Sequence, residues 1–360
     1  MLYHLLFPLH EQFALFNVFR YITFRAAYAT LTALALSLLL GPWVIHKLAA
    51  YKVAQQIREE GPQSHRQKAG TPTMGGLLML FCIAAPTVLW ARLDNLYLWL
   101  VLLTTLGFGA VGFLDDWLKF VKRRNLGLTG RTKLLAQGCI ALGLAAALAT
   151  QPLPPFETRV SMPFFKNVLL NLGWFYLPFV MLIVVGASNA VNLTDGLDGL
   201  AVGTTLVATS FFMIVTYLAG NARFARYLQI VYVDGAGELT VFCGALLGAG
   251  MGFLWFNAYP ASVFMGDTGS LALGAALGTV AVISKHEVLL VLVGGIFVIE
   301  AVSVMAQVVS FKLTGRRVLR MAPIHHHFEQ LGWSEPKIIV RFWIVAVVLA
   351  LLGLSTLKLR

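Results

Sequence analysis

Residues 97–114 read YLWLVLLTTLGFGAVGFL, and none of them carries a charge. A helix of about 20 such residues crosses the roughly 30 Å hydrocarbon core of a bilayer. The rest of the chain has the same character, because 58% of its 360 residues are hydrophobic, 12% are charged and the mean hydropathy is +0.78. Soluble domains do not have this composition, so the sequence predicts an integral membrane protein.

Apolar stretches of similar length recur along the chain, and they predict an all-α fold with about ten transmembrane helices. The expected ranges are 20–45, 73–91, 97–114, 132–150, 172–188, 199–219, 237–256, 268–284, 287–310 and 338–357. No long linker, low-complexity tract or internal repeat separates them. Residues 1–360 are therefore expected to form a single polytopic membrane domain.

The net charge of +11 is concentrated in alternate loops. Basic residues crowd three loops, Lys47–Lys68, Lys119–Lys133 and Lys312–Lys337, and are few in the loops around 92–96, 151–171 and 220–236. Cytoplasmic loops carry the excess of Lys and Arg, so the basic loops are predicted to be cytoplasmic and both termini periplasmic. Nucleic-acid binding is not expected, because no soluble domain remains to carry it.

The acidic residues at the ends of the predicted spans gather on the same side. Asp115 and Asp116 end the third span, Asp195 and Asp198 lie between the fifth and sixth, and Asp267 opens the eighth. Ionised carboxylates at membrane depth require compensating cations or a function. A metal ion would supply the compensation, and the active site is expected on the cytoplasmic face.

The adjacent carboxylates of Asp115 and Asp116 point about 100° apart on a helix. One of them can face a site while the other contacts a lysine or a second substrate. The alternative is a solvated helix end that pairs with Lys119 and Lys122.

The segment Asn189–Gly199 (NAVNLTDGLDG) is unusually polar for this chain. Asn192, Asp195 and Asp198 follow an i, i+3, i+6 spacing, which predicts that they share one helical face. Carboxylate and amide groups suit either a hard cation or the hydroxyls and edges of a nucleotide. The alternative is a helix N-cap made by Thr194 or Asp195.

Two further polar segments follow. In Asn257–Ser270, exposed amides, glycines and Asp267 suit Mg²⁺ that carries phosphates, and Phe264 can stack on a flat ring or simply pack in the interface. In Met321–Glu329, three consecutive histidines cannot all bind one metal on a regular helix, because neighbouring side chains point about 100° apart. We expect them to hydrogen-bond phosphate or sugar; a solvated histidine cluster is the alternative.

These groups together predict a site for a phosphate-bearing substrate from the cytoplasm, with a lipid as its chemical partner. Phosphoryl transfer requires a cation to neutralise developing charge, Lys or Arg to hold phosphates, and in-line placement of the attacking oxygen.

Five motifs, in order, resemble those of the polyprenyl-phosphate N-acetylhexosamine-1-phosphate transferase family. They are Gly70–Gly76 (GTPTMGG), Phe113–Asp116 (FLDD), Asn189–Gly199, Phe264–Asp267 (FMGD) and Ala322–Glu329 (APIHHHFE). The resemblance extends from about Phe16 to the C-terminus. The Asn-rich acidic motif is shared by relatives that use other sugars, whereas the APIHHH form is specific to the muramoyl-pentapeptide branch.

The resemblance implies transfer of phospho-MurNAc-pentapeptide from UDP-MurNAc-pentapeptide to undecaprenyl phosphate. The products would be lipid I and UMP, in the first membrane step of peptidoglycan synthesis. It also implies dependence on Mg²⁺, ten transmembrane helices, a homodimer and a location in the bacterial cytoplasmic (inner) membrane.

The resemblance further assigns catalytic roles. Asp267 matches the family's magnesium ligand, and Asp115 and Asp116 match its essential acidic pair. Asp115 is expected to deprotonate or orient the lipid phosphate, and Asp116 to assist it or contact the metal. Lys133 matches an essential lysine suited to a phosphate, and His326 matches a residue near the sugar or diphosphate.

A second group is expected to bind substrate. Phe264 matches the aromatic that stacks on uracil, and Asp195 and Lys68 match residues near the uridine. The full set is Lys68, Thr73, Asn189, Asn192, Asp195, Asp198, Phe264 and His325.

The order of bond formation stays open between two routes. A lipid phosphate, with a second pKa of about 6, is largely dianionic at neutral pH and needs little help from a base. Direct attack on the β-phosphate, with Mg²⁺ and Lys133 neutralising charge, is therefore preferred. The alternative is a covalent intermediate on Asp267 or Asp115, although a carboxylate bound to Mg²⁺ is a poor nucleophile.

Two other functions remain as alternatives. One is a UDP-GlcNAc:polyprenyl-phosphate GlcNAc-1-phosphate transferase, against which the triple histidine counts. The other is a cation-coupled transporter, which predicts carboxylates near the middle of the spans, where only Glu300 is expected.

Overall fold

The computed structural model describes residues 1–51, 70–122, 127–150, 158–162 and 169–358. Lys68 lies outside the described residues. Within them, nine helical stretches are long and apolar enough to cross a membrane: Ile22–Ala50, Leu96–Lys122, Gly130–Ala149, Gly173–Thr194, Leu200–Ala219, Ala236–Asn257, Gly266–Ile283, Gly295–Thr314 and Glu335–Thr356. A shorter apolar helix, Gly76–Trp90, brings the bundle to the expected ten. The prediction of an all-α integral membrane protein is confirmed.

The helices are numbered in chain order. They are α1 (Leu2–Leu6), α2 (Ile22–Ala50), α3 (Gly76–Trp90), α4 (Leu96–Lys122), α5 (Gly130–Ala149), α6 (Tyr176–Thr194), α7 (Leu200–Ala219), α8 (Ala222–Leu228), α9 (Leu239–Asn257), α10 (Gly266–Ile283), α11 (Glu287–Val293), α12 (Gly295–Thr314), α13 (Ile324–Gln330) and α14 (Glu335–Thr356). Short 3₁₀ helices cover Phe7–Glu11, Ala14–Arg20, Gly173–Phe175 and Ala236–Glu238. The strands β1 (Arg159–Ser161) and β2 (Leu169–Asn171) form an antiparallel pair with Val160 opposite Leu170.

The stretch expected to be one span over 287–310 is two helices instead. Helix α11 has seven residues, and Gly294 separates it from α12. At 1.5 Å per residue, α11 is only about 10 Å long, so α12 begins partway through the bundle. Hydropathy could not reveal this break, because the residues on both sides of it are apolar.

Helix α10 is the centre of the bundle and is almost completely buried. It packs against α3, α4, α6 and α7. Its many glycines and alanines let neighbouring backbones approach closely, as is usual where helices pack in membranes. The first turn of α10 carries Asp267, so packing around this helix decides what surrounds that carboxylate.

Candidate active site

The N-terminus of α10 is capped by a carboxylate from α4. Asp116 Oδ2 accepts hydrogen bonds from Thr268 N at 2.9 Å and Thr268 Oγ1 at 2.8 Å, and Oδ1 accepts one from Asp267 N at 3.3 Å. The first amides of a helix have no partner within the helix, and this carboxylate accepts hydrogen bonds from two of them. Its negative charge also interacts favourably with the positive end of the helix dipole. Asp116 is buried. Its role in this arrangement is to fix the start of α10.

The close approach of α4 to α10 depends on Gly112, one turn before Asp116. A Cβ at this position would collide with the carbonyl oxygen of Asp267 and lie 2.7 Å from the Cα of Thr268. A larger residue would therefore push the two helices apart. The glycine in the sequence GFLDD brings the carboxylate pair to the first turn of α10.

Asp115, the other member of the acidic pair, faces Lys119 beside Asp267. Its Oδ2 lies 2.6 Å from Lys119 Nζ, and its Oδ1 accepts a hydrogen bond from Leu128 N at 2.8 Å. The Lys119 ammonium also lies 3.0 Å from Asp267 Oδ2 and 3.7 Å from Asp116 Oδ1. One ammonium is thus surrounded by three carboxylates.

A second ammonium reaches Asp267 from α5. Lys133 Nζ lies 2.7 Å from Asp267 Oδ2. Thr129 caps α5 by accepting a hydrogen bond from Thr132 N, which fixes the first turn of the helix and the lysine in it. Lys133 and Lys119 therefore share one oxygen atom of Asp267.

The remaining oxygen of Asp267 is held from α6. Asn192 Nδ2 donates to Asp267 Oδ1 and to Ser270 Oγ, each at 2.8 Å. One helical turn earlier, Asn189 Nδ2 donates to Gln137 Oε1 and to the Val185 carbonyl, each at 2.8 Å. The two asparagines therefore extend the polar contacts along the facing sides of α5, α6 and α10.

The expectation that Asn192, Asp195 and Asp198 share one helical face is wrong. Helix α6 ends at Thr194, so both aspartates lie in the turn between α6 and α7. Only Asn192 reaches Asp267. The i, i+3, i+6 spacing applies only within a helix, and the two glycines after Thr194, Gly196 and Gly199, favour a turn. Gly199 adopts a left-handed φ of 78°, which a right-handed helix cannot contain.

Asp198 is buried and joins three segments. Its Oδ2 accepts a hydrogen bond from Ala261 N at 3.0 Å, and its backbone N–H donates to Glu335 Oε1 at 3.0 Å. The next residue, Gly199, donates from N to Asn257 Oδ1 at 3.0 Å, and Asn257 Nδ2 donates to the Val263 carbonyl. Asp198 therefore holds the loop before α10 in place.

Asp195 is partly buried near the acidic cluster. Burial raises the pKa of its carboxyl from 3.8 to about 8, and the charges of Asp267, Asp116 and Asp198 act in the same direction. At neutral pH this carboxyl therefore keeps its proton and can donate a hydrogen bond.

The segment Gly70–Gly76 packs against the loop that carries Phe264. Phe264 N donates to the Pro72 carbonyl at 2.8 Å, and Gly75 N donates to the Phe264 carbonyl at 2.9 Å. Thr73 lies beside Gly266, where its Oγ1 would be 3.1 Å from an added Cβ. The Phe264 side chain is partly buried. These backbone bonds bring Thr73 and Phe264 to the edge of the cluster around Asp267.

The three histidines have three different environments. His325 is fully buried and its Nδ1 lies 3.0 Å from Glu300 Oε1. His326 is partly exposed, and its Nδ1 lies 2.6 Å from Glu329 Oε2. His327 Nδ1 accepts a hydrogen bond from Arg320 N at 3.2 Å. Direct contact between His325 and a substrate was expected, but in this arrangement His325 has no exposed surface for it, whereas His326 has some.

The residues around Asp267 fit a divalent cation. Asp115, Asp116 and Asp267 each offer a carboxylate oxygen, and these three oxygens lie within 4.8 Å of one another. Carboxylate oxygens are the ligands that Mg²⁺ prefers. The Lys119 ammonium, which lies among all three carboxylates, marks the position as one that attracts positive charge. Because Asp116 is engaged at the start of α10, Asp267 and Asp115 are the better ligands.

Sequence reasoning missed Lys119 and Gln137 as members of the site. Lys119 was considered only as a partner at a solvated helix end, although its i+3 and i+4 spacing from the acidic pair is a usable signal. Gln137 is one turn beyond Lys133 on α5, fully buried, and bonded to Asn189. No pattern in the sequence indicates that α5 and α6 face each other at this height.

An apolar cleft opens between α5 and α6 beside these residues. Its volume is about 480 Å³, and it is lined by Leu134, Gly138, Pro178, Met181, Leu182, Val185, Gly186 and Asn189. Leu134 follows Lys133 directly, so the cleft begins next to the charged cluster.

Comparison with known proteins identifies the family of this chain. Residues 98–285 match the glycosyl transferase family 4 model, and residues 68–80 match signature 1 of the phospho-N-acetylmuramoyl-pentapeptide-transferases. Proteins of that name from Citrifermentans bemidjiense and a Geobacter species are each 57% identical to this chain, and one from Syntrophus aciditrophicus is 56% identical. Each alignment covers 100% of both proteins. The chain therefore belongs to the phospho-N-acetylmuramoyl-pentapeptide-transferase family, within glycosyl transferase family 4.

Proposed function

We propose that this protein transfers phospho-MurNAc-pentapeptide from its UDP carrier to undecaprenyl phosphate, giving lipid I and UMP. The observation that carries the proposal is the convergence of Lys119 and Lys133 on Asp267, beside two further carboxylates and an apolar cleft. Such a group combines cation ligands, phosphate-binding ammonium groups and access for a lipid, which is what this reaction requires.

The lysines are suited to hold phosphates. Lys119 and Lys133 are compact positive charges that now pair with Asp267 through one shared oxygen. A diphosphate has more oxygens and more charge to offer, so either ammonium can exchange its carboxylate for a phosphate oxygen without moving far. Lys133, at the mouth of the apolar cleft, is the better placed of the two for the lipid phosphate.

The cleft between α5 and α6 supports a prenyl chain as the acceptor's tail. Its walls are aliphatic, and Asn189 is the polar residue at its lining. A chain lying there would bring its terminal phosphate toward Lys133, because Leu134 and Asn189 border both the cleft and the charged cluster.

The nucleotide is proposed to bind on the other side of Asp267. Phe264 stacks on the uracil ring, with Lys68 near the uridine. Asp195, which keeps its proton up to about pH 8, donates a hydrogen bond to an acceptor atom of the nucleotide. Thr73, next to Gly266, and His326, the partly exposed histidine, border the path of the diphosphate and the sugar.

Magnesium is proposed as the cofactor, held by Asp267 and Asp115 with Asp116 close by. When bound, it would neutralise charge on the diphosphate and make UMP a better leaving group. Asn192 contributes by holding Asp267 in one orientation through its bond to Oδ1.

The contacts of Asp267 favour direct attack over a covalent intermediate. Asn192 and two lysines engage its oxygens, which leaves little freedom for the in-line approach of a nucleophile. An oxygen of the lipid phosphate attacks the β-phosphorus, the bond to the α-phosphate bridging oxygen breaks, and that oxygen leaves with UMP. Asp115 orients the attacking phosphate rather than removing a proton from it.

Five broader expectations belong to the same proposal. The protein is expected to be a single domain in the bacterial inner membrane, with both termini periplasmic and the site cytoplasmic. The continuous apolar core from α2 to α14 supports one domain. The homodimer rests on the family resemblance.

The test is a transfer assay with purified protein in detergent or liposomes. We expect a lipid-linked product from undecaprenyl phosphate with UDP-MurNAc-pentapeptide, none with UDP-GlcNAc, and no turnover in EDTA until Mg²⁺ is restored. A product formed only from UDP-GlcNAc would support the other transferase, and solute or ion flux without any lipid product would support a transporter. Full turnover in EDTA would remove Mg²⁺ from the proposal.

A further inference from the structure

Glu300 is a carboxylate in the interior of the bundle, and the imidazole of His325 lies within reach of it. It is fully buried in α12, and its Oε1 lies 3.0 Å from His325 Nδ1. Neither carboxylate oxygen of Glu300 and neither ring nitrogen of His325 forms a hydrogen bond among the residues that the structure describes, so the two side chains meet at ion-pair distance only. Burying a carboxylate is expensive, so this contact with His325 requires an explanation beyond packing.

The break between α11 and α12 brings Glu300 to this position. Because α11 is about 10 Å long and α12 starts again at Gly295, Glu300 lies well below the outer end of the bundle. Helix α12 packs against α6 and α13, so Glu300 can reach a residue within the last basic loop.

The other edge of the His325 ring presses on the turn after α6. A Cβ added to Gly196 would collide with His325 Nε2 and lie 2.9 Å from Cε1, and the ring supplies all three of the nearest atoms. Gly196 does not have a left-handed φ, so the imidazole is the obstacle to a side chain at this position. The ring is therefore clamped between Glu300 and the backbone that connects Asp195 to Asp198.

We propose that Glu300 is a positioning residue, which holds His325 against Gly196 and so fixes the α6–α7 turn that presents Asp195 to the nucleotide. This inference rests on the proposed function for the identity of that nucleotide. Neither Glu300 nor His325 touches substrate in this account. The first histidine of the triplet supports the site from behind, whereas His326, which is partly exposed, is the one proposed to border the path of the sugar.

The first test compares Glu300→Leu with Glu300→Gln. Glutamine keeps an oxygen that can accept from the imidazole, so we expect Glu300→Gln to retain most of its activity. Leucine removes the contact, and the KM for UDP-MurNAc-pentapeptide should rise by about tenfold or more while the KM for undecaprenyl phosphate stays constant. A general loss of structure would instead lower the active fraction and leave both KM values unchanged.

The second test is a double-mutant cycle at the other edge of the ring. Gly196→Ala should raise the same KM, because the methyl group displaces His325. In a His325→Ala background, the space is vacant, and adding Gly196→Ala should have little further effect. Gly143→Ala is the matched control: Gly143 is exposed on α5, with nothing within 4 Å of an added Cβ, so this variant should match wild type.

The outcomes separate the two proposals. If the wild type makes no lipid-linked product, the proposed function fails. If the wild type is active but the effects of Gly196→Ala and His325→Ala simply add, the clamp is overturned. Should Glu300→Leu fail to fold, with a lowered thermal unfolding midpoint in detergent, the cycle at Gly196 still decides, because its variants leave Glu300 intact. Equal activities of Glu300→Leu and Glu300→Gln would also overturn it.

Discussion

Two clusters of charge that differ in design lie beside the two ends of α4, because Glu238 accepts a hydrogen bond from Arg92 N just before this helix and Asp116 lies near its end. At its start, Arg25 contacts Glu238 through two hydrogen bonds of 2.6 and 2.7 Å. Near its far end, about 30 Å away along the helix, Lys119 and Lys133 converge on Asp267. Both clusters pair acidic with basic side chains inside a membrane protein, but the first is shielded from solvent and the second is partly exposed.

The difference lies in exposure and in the choice of cation. The side chains of Arg25 and Glu238 are 1% and 6% exposed, whereas those of Lys119 and Asp267 are 34% and 19% exposed. Arginine holds a carboxylate with a planar fork, whereas lysine ammonium is a point charge that exchanges partners easily. We infer that the first cluster stabilises the fold. In the second cluster, the lysines can exchange a carboxylate partner for a phosphate of the substrate.

The largest expected effect is on Asp267. Asp267→Asn keeps the shape but removes the charge that holds both lysines and a cation, so turnover should fall by about 10²–10³-fold or more. The thermal unfolding midpoint should stay close to that of the wild type, because the site is partly open to solvent. A transfer assay checks the turnover, and thermal unfolding in detergent checks the midpoint. A variant of near-normal activity would remove Asp267 from the site.

For Arg25 we expect a loss of stability without a loss of turnover. Arg25→Met leaves Glu238 buried without its cation and should cost about 3–5 kcal/mol of stability, measured by denaturant titration in mixed micelles. The turnover of the folded fraction should not change, given the distance to Asp267. The control is Arg25→Met combined with Glu238→Leu, which should recover most of the loss. If the single variant instead loses turnover at full stability, the comparison between the two clusters fails.

The smallest effect is the pH dependence from Asp195. Its pKa is raised from 3.8 to about 8 in the folded protein, so the folded state binds more protons than the unfolded state between these values. Stability should therefore fall as pH rises towards 8 and level off above it. Asp195→Asn lacks this contribution, and its unfolding midpoint in EDTA should fall less between pH 5 and 8. Parallel curves for the two proteins would contradict the raised pKa.

Much of the fold was predictable because it follows from local composition. The span ranges agree with the helices to within several residues, since an apolar stretch of fixed length has few alternatives in a bilayer. The break at Gly294 was not predictable, because the hydropathy is the same on both sides of it. The prediction that Asn192, Asp195 and Asp198 share one helical face is wrong, because the helix ends at Thr194 and both aspartates lie beyond it.

Within the candidate site, motifs identified the residues but not their partners. The acidic pair was expected to divide its contacts, and it does: Asp115 pairs with Lys119, and Asp116 caps α10. No local sequence feature indicates that Asp116 accepts hydrogen bonds from Thr268, which lies about 150 residues away in the sequence. The contact of Glu300 with His325 was likewise invisible, because it joins two helices across a loop.

That this is a helical membrane protein of this transferase family follows from the amino-acid sequence, since hydropathy and motif chemistry are properties of short segments. The tertiary structure alone decided which charges meet: the ammonium of Lys119 among three carboxylates, and the ring of His325 between Glu300 and Gly196. The physical reason is that these contacts depend on where helix ends meet, and close packing at glycines such as Gly112 sets those positions.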